Sequence, residues 1–529
     1  MTQYLIGIDF GTLSARGVLA DAADGRVAAS AVCEYAHGVM EKTLPDGTPI
    51  PDEYVLQYPA DYLEALSSVL QTLADKAQDG EIAGIGIDFT CTTSLPLDKA
   101  LRPLCETEKY RKTPDAYAKL WRHIAAAQGR YVTETAKQHG LAWLQNVGGE
   151  VCGEWAVPKL LELKQNAPAL FDETEYYTEA GDWLVSLLCG EPVRSLSYAG
   201  YKNFYRDGFP DEAFFKAVDP AFERIMQNRF RGRTVAVGER AGLLSPAAAK
   251  KLGLPAGIAV TAGLTDAHQG AVGAGACGDG DMLCALGTSA CFILQNRTDL
   301  PVTGISSQMY GGIFEDMTSY ESTSSMGDML AWFLEELCPA KYFDEAKKRS
   351  MNIHALLTEK AAALPADEPV FFLPWLGGSR CLLRNSELAG SFHGLRFGTA
   401  APALYRAILE GIAFESREIF DNYTAQGLTV GRMIAVGGIS KKNALMMQIL
   451  ADVLGREIEV CASDEAAALG SAITAAAAAG IYPDITAACA HMAAGTERTF
   501  RPDGDRAVYE KKFREYHRIR SADIGDRIS

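Results

Sequence analysis

Asp9 is the first residue whose position suggests chemistry, because it lies between an apolar strand predicted over residues 4–8 and a Gly11-Thr12 turn. A second strand is predicted directly after this turn, over residues 17–20. A glycine in such a turn lets backbone amides approach an anion closely, and neighbouring hydroxyls add further donors. A carboxylate just before the turn can hold hydrated Mg²⁺ beside a phosphate. The pattern predicts half of a clamp for the phosphates of a nucleotide.

The same strand–turn–strand pattern returns in the second half of the chain. Residues 281–294 contain Gly287, Thr288 and Ser289 between two apolar runs. One such hairpin alone is explained equally well as a tight turn between edge strands. Two hairpins, one in each half, favour two related domains that grip the phosphates of a nucleotide from both sides.

Asp266 is a candidate catalytic carboxylate. It follows the apolar segment 257–263, for which a strand is predicted, and it precedes a helical pattern. An aspartate at this position is also a frequent helix cap, so that alternative stays open. The end of a strand in an α/β sheet, however, opens into the cleft where ligands bind. There an ionised carboxylate can accept the proton of a hydroxyl that attacks a γ-phosphate.

A paired glycine is a further candidate binding element. Residues 433–436 form a predicted strand that ends in Gly437-Gly438 and continues into a polar helix start containing Asn443. Two glycines let a flat adenine or its ribose lie directly against the backbone. In isolation, a plain connection from a strand to a helix explains the same residues.

The elements that would position these residues alternate between strand-like and helix-like segments, which predicts an α/β architecture. The segment 84–90 nearly repeats residues 6–11 and places Asp88 where Asp9 stands. We therefore expect two neighbouring strands whose ends open into one cleft. The mostly alanine segment 466–482 predicts a closely packed core helix and not a membrane span.

The length and charge of the chain limit its class. With 529 residues it is too long for one hydrophobic core, so two domains are expected. Its net charge of −17 argues against nucleic acid or an anionic membrane as a partner. The twelve cysteines include no Cys-x-x-Cys pair, which predicts reduced, buried thiols in a cytoplasmic protein. The assembly stays open between a monomer and a homodimer.

Together, the two hairpins, Asp266 and the Gly437-Gly438 element resemble the ATPase core shared by actin, the Hsp70 chaperones and sugar kinases. In order and spacing they are similar to the FGGY carbohydrate kinases along nearly the whole chain. Closer matches point to the L-ribulokinase branch of that family, and they lie at 86–90, 143–144, 148–149, 154–155, 158–159, 180–183 and 199–202. The resemblance implies an α/β fold of two actin-like (ribonuclease H-like) domains, residues 1–276 and 277–529, with a catalytic cleft between them.

The resemblance also implies roles for individual residues. Asp266 would be the general base on the terminal hydroxyl of a ketose. Asp9 and Asp266 would hold Mg²⁺, with ATP as the second substrate. The nucleotide site would comprise Gly11, Thr12, Ser14, Arg16, Gly287, Thr288, Ser289, Gly437, Gly438, Asn443 and Gln448. The sugar site would comprise Thr92, Thr93, Lys202, Asp266 and Glu321.

These expectations lead to an ATP-dependent kinase for a ketopentose, with L-ribulose as the first choice of acceptor. Xylulose, ribitol and erythrulose are alternative acceptors, because residues 321–328 and 375–382 depart from the pattern of the ribulokinases. Outside metabolic enzymes, the alternative is an actin-like or Hsp70-like ATPase that acts on a protein partner. Taken alone, Lys202 would be a solvated surface lysine and Glu321 an ordinary surface carboxylate.

Overall fold

The computed structural model describes residues 2–77, 80–206, 208–379, 381–385 and 387–528. Two seven-stranded mixed sheets dominate the chain, one built from its first half and one from its second. Helices cover both sheets, so the expected α/β architecture with two sheet-containing domains is confirmed.

The first half contains thirteen strands and ten helices within its described residues. The strands are β1 Gln3–Phe10, β2 Ser14–Asp21, β3 Val27–Glu34, β4 Leu56–Gln57, β5 Glu81–Phe89, β6 Ser94–Leu97, β7 Ala118–Lys119, β8 Tyr176–Glu179, β9 Val193–Ser195, β10 Arg233–Val235, β11 Arg240–Leu243, β12 Ala259–Thr261 and β13 Leu264–Thr265. The helices are α1 Pro59–Ala77, α2 Ala126–Gln138, α3 Ala156–Asn166, α4 Pro168–Glu173, α5 Ala180–Cys189, α6 Leu196–Lys202, α7 Glu212–Val218, α8 Ile225–Asn228, α9 Pro246–Leu252 and α10 Asp266–Ala274. Short 3₁₀ turns occupy Leu104–Glu106, Pro114–Ala116, Ala142–Val147 and Pro220–Phe222.

The second half contributes nine strands and nine helices in the part that the structure describes. The strands are β14 Met282–Leu286, β15 Ser289–Asn296, β16 Ser307–Tyr310, β17 Thr318–Ser325, β18 Phe371–Leu373, β19 Ser391–His393, β20 Met433–Val436, β21 Ile458–Cys461 and β22 Thr496–Phe500. The helices are α11 Gly327–Trp332, α12 Ala340–Lys348, α13 Ile353–Ala362, α14 Ala401–Ala425, α15 Gly438–Lys442, α16 Ala444–Leu454, α17 Ala466–Ala478, α18 Ile485–Met492 and α19 Arg506–Ile528. A π-helical turn, Phe333–Leu337, extends α11.

The first sheet has the strand order β11-β12-β5-β1-β2-β3, and β13 also pairs with β5. Strand β1 runs antiparallel to β2 and parallel to β5, which places Asp9 level with Asp88. The predicted pairing of these two similar strands is therefore confirmed. The segment 257–263, predicted as one strand, contains only β12, and the chain then returns to β5 as the short strand β13.

The second sheet has the order β16-β17-β15-β14-β20-β21-β22. Its hairpin, β14 and β15, is the counterpart of β1 and β2 in the first sheet. Strand β20 lies parallel to β14, so the Gly437-Gly438 pair follows a strand directly beside the second hairpin. Two of the three nucleotide-binding elements predicted from the sequence are thus neighbours in space.

Residues 91–230, which follow β5, include a separate layer beside the first sheet, and we call this segment the insert. Its strands β6, β7 and β8 join β4 in a four-stranded sheet, and helices α2, α3, α4, α7 and α8 contribute to its core, while α5 packs against the first sheet. The insert has its own apolar core, in which Trp155 and Phe204 lie edge to face with ring centroids 5.7 Å apart. This layer supplies one wall of the cavity described below.

Helix α17 belongs to the second half of the chain but packs against strands β1 and β5 of the first sheet. The contact is made by backbone atoms, because a Cβ atom on Gly7 would lie 1.8 Å from the carbonyl oxygen of Ala468. Gly86 approaches Ser471 in the same way, with 2.0 Å to its carbonyl oxygen. The alanine-rich helix is therefore a closely packed core element, as predicted, and it joins the two halves.

Burial of the thiols is only partly as expected. Five cysteines are buried, six are partly exposed, and Cys152 is exposed.

None of the described helices has both the length and the apolar character that a membrane crossing needs.

Candidate active site

The first hairpin closes tightly and is held from the insert side. The amide of Gly11 donates to the carbonyl of Ser14 at 3.0 Å. Two side chains fix Thr12: the indole nitrogen of Trp121 donates to its hydroxyl at 3.1 Å, and the amide of Gln57 donates to its carbonyl at 2.6 Å. The turn is therefore preorganised rather than free to adapt to each ligand.

Arg16 lies on β2, two residues after Ser14, and its side chain is half-exposed. Its guanidinium forms an ion pair with Glu465 at 3.7 Å, just before helix α17. The positive charge also acts on Asp9. Arg16 thus stands where the first hairpin meets the second half of the chain.

Three carboxyl groups, of Asp9, Asp88 and Asp266, lie close enough to influence one another. Burial raises the pKa of Asp9, while a hydrogen bond with Asp88 and the charge of Arg16 partly oppose that rise. Burial and the charge of Asp9 raise the pKa of Asp88 well above its ordinary value. A site that concentrates so much negative charge in a buried place is suited to a cation.

Asp266 is the first residue of helix α10, while Thr265 takes the capping position. The carboxylate accepts a hydrogen bond from the amide of Ala267 at 2.8 Å. Burial, and then the charge of Asp9, raise the pKa of Asp266 to about 7. A carboxyl group with that pKa can exist as a base and as an acid near neutral pH, as general base catalysis needs. The structure therefore offers more than a helix cap at this position.

Lys202 and Glu321 line one cavity of about 370 Å³ between the insert and the second sheet. Glu321 is buried on β17, and its carboxylate accepts a hydrogen bond from the Ser307 hydroxyl at 3.0 Å. Burial opposes the charge of Glu321, but Lys202 and other neighbours lower its pKa below the ordinary value. Burial likewise opposes the charge of Lys202, but Cys91 and Glu321 raise its pKa. Lys202 and Glu321 thus carry opposite charges in the same cavity, and each favours the charged form of the other.

The rest of this cavity is polar on the side of the second domain and mixed on the side of the insert. The residues that line it, besides Lys202 and Glu321, are Ile124, Val147, Glu150, Val151, Cys152, Glu154, Trp155, Tyr201, Ser306, Ser307, Thr323, Gly377, Ser379 and Arg384. Asp266 is not among them, yet it lies close enough for the charges of Lys202 and Glu321 to act on its pKa. A small polyhydroxylated molecule would fit the volume and the donors and acceptors of this space.

Thr92 and Thr93, predicted near the sugar, do not line the cavity. The hydroxyl of Thr92 donates to the carbonyl of Cys91 at 2.6 Å, and those of Thr90 and Thr93 lie 2.8 Å apart in a hydrogen bond. Thr92 adopts a left-handed backbone with φ of 64°. The ammonium of Lys159 donates to its carbonyl at 2.6 Å. Hydrogen bonds within this loop and to Lys159 therefore already engage the hydroxyls of Thr92 and Thr93 and the carbonyl of Thr92.

The second hairpin is braced by the start of helix α11. The amide of Gly287 donates to the carbonyl of Ser289 at 3.0 Å, which closes the turn. The amides of Gly327 and Asp328 donate to the carbonyls of Gly287 and Thr288 at 3.1 and 3.3 Å. A Cβ atom on Gly327 would lie 2.7 Å from the Gly287 carbonyl oxygen. Gly327 is therefore part of this element, although the sequence analysis did not select it.

Gly437 brings β20 into direct contact with the second hairpin. Its φ of 95° is in the range that favours glycine, and a Cβ atom there would lie 2.5 Å from the carbonyl oxygen of Leu286. A Cβ atom on Gly438 would meet no atom within 4 Å. The first glycine is required by packing, and the second leaves open space beside the backbone.

Asn443 and Gln448 both lie at helix α16, but they make different contacts. The side chain of Asn443 caps the helix by accepting from the amide of Met446 at 3.0 Å. The amide of Gln448 donates to Asp452 at 3.1 Å and to the carbonyl of Arg501 at 2.8 Å. Asn443 adjoins the Gly437-Gly438 turn, whereas Gln448 is tied to the segment after β22.

Four residues that contact the hairpins or the cavity were not predicted from the sequence, namely Gln57, Trp121, Gly327 and Arg384. Gly327 had a local signal, because a glycine stands immediately before a helical run. The other three gain their positions through contacts with residues far away in the chain. Arg380, at the end of the departing stretch 375–380, lies outside the described residues.

No group of three or more His, Cys, Asp or Glu side chains among the described residues has an arrangement that could hold a metal ion. The acidic cluster of Asp9, Asp88 and Asp266 thus lacks a complete protein ligand set. Mg²⁺ keeps several waters and is usually bound through one or two carboxylates together with substrate phosphates. The residues present fit that mode.

Comparisons with known proteins agree with this architecture. The family model for the N-terminal domain of FGGY carbohydrate kinases matches residues 4–273, and the model for the C-terminal domain matches residues 282–479. A protein of Halalkalibacterium halodurans named ribulokinase is 39% identical over 528 residues, covering 97% of this chain and 94% of the relative. A ribulokinase of Mycolicibacterium smegmatis is 37% identical over 509 residues, with 94% and 90% covered.

Solved structures show the same fold. A ligand-bound xylulose kinase from Lactobacillus acidophilus superimposes with a TM-score of 0.80 at 20% identity, over 98% of both chains. A glycerol kinase from Plasmodium falciparum, solved with ADP, gives 0.78 at 18% identity, also over 98% of both chains. At these identities the likeness shows the fold alone.

The fold and the two hairpins define a two-domain sugar kinase. Both family models together span most of the chain, and the relatives match it over nearly its full length. The chain belongs to the FGGY family of carbohydrate kinases.

Proposed function

We propose that this enzyme transfers the γ-phosphate of ATP to the terminal hydroxyl of a ketopentose, and that L-ribulose is its acceptor. The observation that carries the proposal is that Lys202 and the buried Glu321 line one cavity, and that the charges of both act on Asp266. The relatives named ribulokinase support the choice of sugar.

In this proposal, Asp266 removes the proton from the attacking sugar hydroxyl. Its pKa of about 7 lets it accept that proton at neutral pH, and its position at the start of α10 keeps the carboxylate oriented. Lys202 and Glu321 orient the sugar by hydrogen bonds with its hydroxyls or carbonyl. The loop of Thr92 and Thr93 would limit the length of the acceptor rather than bind it through its hydroxyls.

The two hairpins hold the phosphates of ATP from opposite sides. Gly11, Thr12 and Ser14, with Arg16, would supply donors from the first domain. Gly287, Thr288 and Ser289 would supply them from the second, braced by the start of α11. Domain closure would exclude water, so that the phosphoryl group goes to the sugar. The boundary between the domains at residues 276 and 277 is part of the same proposal.

The adenosine would lie beside the Gly437-Gly438 turn. The open space at Gly438 and the adjacent Asn443 support this position. Gln448 was assigned to the same pocket, but it lies in the middle of helix α16 and its amide donates to Asp452 and to the carbonyl of Arg501. Any contact that it makes to the nucleotide would require these bonds to change.

Asp9 and Asp266 would hold Mg²⁺, which when bound neutralises charge that develops on the transferred phosphoryl group. The raised pKa values of both carboxyl groups support this assignment, because a cation nearby would favour their ionised forms. Asp88, which accepts a hydrogen bond from Ser471 at 2.7 Å, positions Asp9.

A coupled assay of ADP release against L-ribulose, D-xylulose, ribitol and L-erythrulose tests the proposal. The account predicts the highest kcat/KM with L-ribulose. A higher kcat/KM with xylulose, ribitol or erythrulose would change the proposed acceptor but leave the assignment as a sugar kinase intact. ADP release that no sugar stimulates would instead favour the class of actin-like or Hsp70-like ATPases.

We also propose that the enzyme works in the cytoplasm, where ATP is available, and that it forms a homodimer. Phe397 is fully exposed and Leu395 is more than half-exposed on the same loop. Adjacent apolar side chains at the surface are suited to a contact between two copies. Light scattering of the wild type and of Phe397→Ser tests the dimer, which the substitution should weaken.

A further inference from the structure

Arg384 lies where the insert meets the second domain, at the rim of the cavity that contains Lys202 and Glu321. It follows β18 in a loop of the second domain and has a left-handed backbone with φ of 46°. A non-glycine residue in that conformation costs free energy, so the surrounding contacts must compensate for it. Those contacts reach both domains.

The guanidinium of Arg384 is shared between carbonyl groups on opposite sides of the cavity. One terminal nitrogen donates to the carbonyl of Val147 in the insert at 2.7 Å. The other donates to the carbonyls of Ile305 and Ser306, which precede β16 in the second domain. Three carbonyls from two domains are thus connected by one planar cation, whose fork geometry suits such an arrangement.

Gly148 makes this position available. A Cβ atom there would lie 2.0 Å from the central carbon of the Arg384 guanidinium, so any larger residue would displace the side chain. The neighbouring Gly149 also has a positive φ, 92°, but a Cβ atom on it would meet nothing within 4 Å. The glycine pair 148–149 therefore contains one member that admits the arginine and one that only turns the chain.

We propose that Arg384 is a positioning residue that latches the insert to the second domain and thereby sets the walls of the acceptor cavity. It acts through Val147 and Ser306, which line the cavity beside Lys202 and Glu321. The inference rests on the proposed function, since it assigns a role in sugar binding. It explains why a glycine stands at position 148, because only a residue without a Cβ atom leaves room for the guanidinium.

The experiment compares Arg384→Ala, Arg384→Lys, Gly148→Ala and Gly149→Ala in the full-length protein. Loss of hydrogen bonds to a charged donor predicts a rise of about 10- to 100-fold in the KM for L-ribulose in Arg384→Ala, with the KM for ATP little changed. Gly148→Ala should reproduce this rise. Arg384→Lys should recover part of the affinity, because an ammonium can reach one side of the cavity but not both.

Gly149→Ala is the matched control, because it carries the same left-handed strain without touching Arg384. It should lower thermal stability about as much as Gly148→Ala and leave the KM for the sugar near the wild-type value. The double variant Arg384→Ala/Gly148→Ala should resemble either single variant, since both remove one interaction. Equal sugar KM values for Gly148→Ala and Gly149→Ala would contradict the proposed role of Arg384. So would a double variant in which the two fold-changes in sugar KM multiply.

A second readout does not depend on the identity of the sugar. In the ligand-free protein, amide hydrogen exchange of residues 142–149 and 304–310 should be faster in Arg384→Ala and Gly148→Ala than in the wild type and Gly149→Ala. If no sugar stimulates ADP release, the proposed function fails while this comparison still decides the latch. Unchanged exchange in Arg384→Ala would refute it.

Discussion

Asp9 and Asp88 lie level with each other on adjacent parallel strands, and the charge of Asp9 raises the pKa of Asp88. Two buried carboxylates so close together cannot both be ionised without a large cost, so the pair retains a proton. We expect Asp88 to hold this proton, because burial and the charge of Asp9 raise the pKa of Asp88 well above the ordinary value. Asp9 is then the carboxylate available to a cation, and Asp88 is the neutral partner that orients it.

This relationship predicts opposite outcomes for two similar substitutions. Asp88→Asn replaces a protonated carboxyl by a neutral group of the same shape, so turnover should stay close to the wild-type value. Asp9→Asn removes the charge that would hold Mg²⁺ and should lower kcat by at least about 100-fold. Steady-state kinetics over a Mg²⁺ titration checks both variants. Equal losses in the two would contradict the assignment of the proton.

The pH dependence of catalysis should report on Asp266. Its carboxyl group has a pKa of about 7, raised by burial and by the charge of Asp9, and only the deprotonated form can act as a base. At saturating Mg²⁺·ATP, kcat/KM for the sugar should rise as pH increases through this range and level off above it. A profile that falls with rising pH between 6 and 8 (roughly the range about this pKa) would assign the titration to another group.

Lys202 should control the affinity for the sugar. Lys202→Met keeps the length of the side chain but leaves Glu321 buried without its positive partner, so the KM for the sugar should rise about 10- to 100-fold. Lys164→Met is the matched control, because Lys164 forms an ion pair with Asp219 at 2.6 Å outside the cavity. Initial rates over a sugar titration measure both. Equal sugar KM values for the two variants would contradict a contact between Lys202 and the sugar.

Two glycines of helix α10 should respond oppositely to the same change. A Cβ atom on Gly273 would lie 1.8 Å from the carbonyl oxygen of Ala466, whereas one on Gly270 would meet only the Leu283 side chain at 3.7 Å. Gly270→Ala should raise stability by about 0.5–1 kcal/mol through helix propensity. Gly273→Ala should lower it by about 1–3 kcal/mol through overpacking. Thermal unfolding of both variants checks the pair, and a similar shift in both would contradict the close approach of α17.

Local patterns in the sequence predicted the elements that would bind the phosphates of the nucleotide. The near repeat of residues 6–11 at 84–90 predicted the pairing that sets Asp9 beside Asp88. The glycines of both hairpins shape turns only a few residues long. The alanines of α17 permit close packing against whatever surface lies opposite the helix. Spacing and residue type therefore predicted them.

The walls of the acceptor cavity depend on contacts that no local pattern contains. Arg384 reaches Val147 across 237 positions of the chain. The brace of the first hairpin is equally distant in sequence, since Trp121 reaches Thr12 across 109 positions. Thr92 and Thr93 were assigned to the sugar site by resemblance, yet their hydroxyls bond to the Cys91 carbonyl and the Thr90 hydroxyl. Lys202 and Glu321 were recognised only by resemblance, because nothing in their immediate sequence distinguishes them from surface residues.

The central claim is that Asp266 is the base of a sugar kinase that acts on L-ribulose. The most direct measurement is the rate of ADP release with and without L-ribulose, in the wild type and in Asp266→Asn, together with ATP affinity from calorimetry. The account predicts strong stimulation by L-ribulose in the wild type. In Asp266→Asn it predicts a loss of at least about 100-fold in the stimulated rate, with ATP binding retained. Near-normal stimulated turnover in Asp266→Asn, or no stimulation of the wild type, would contradict it.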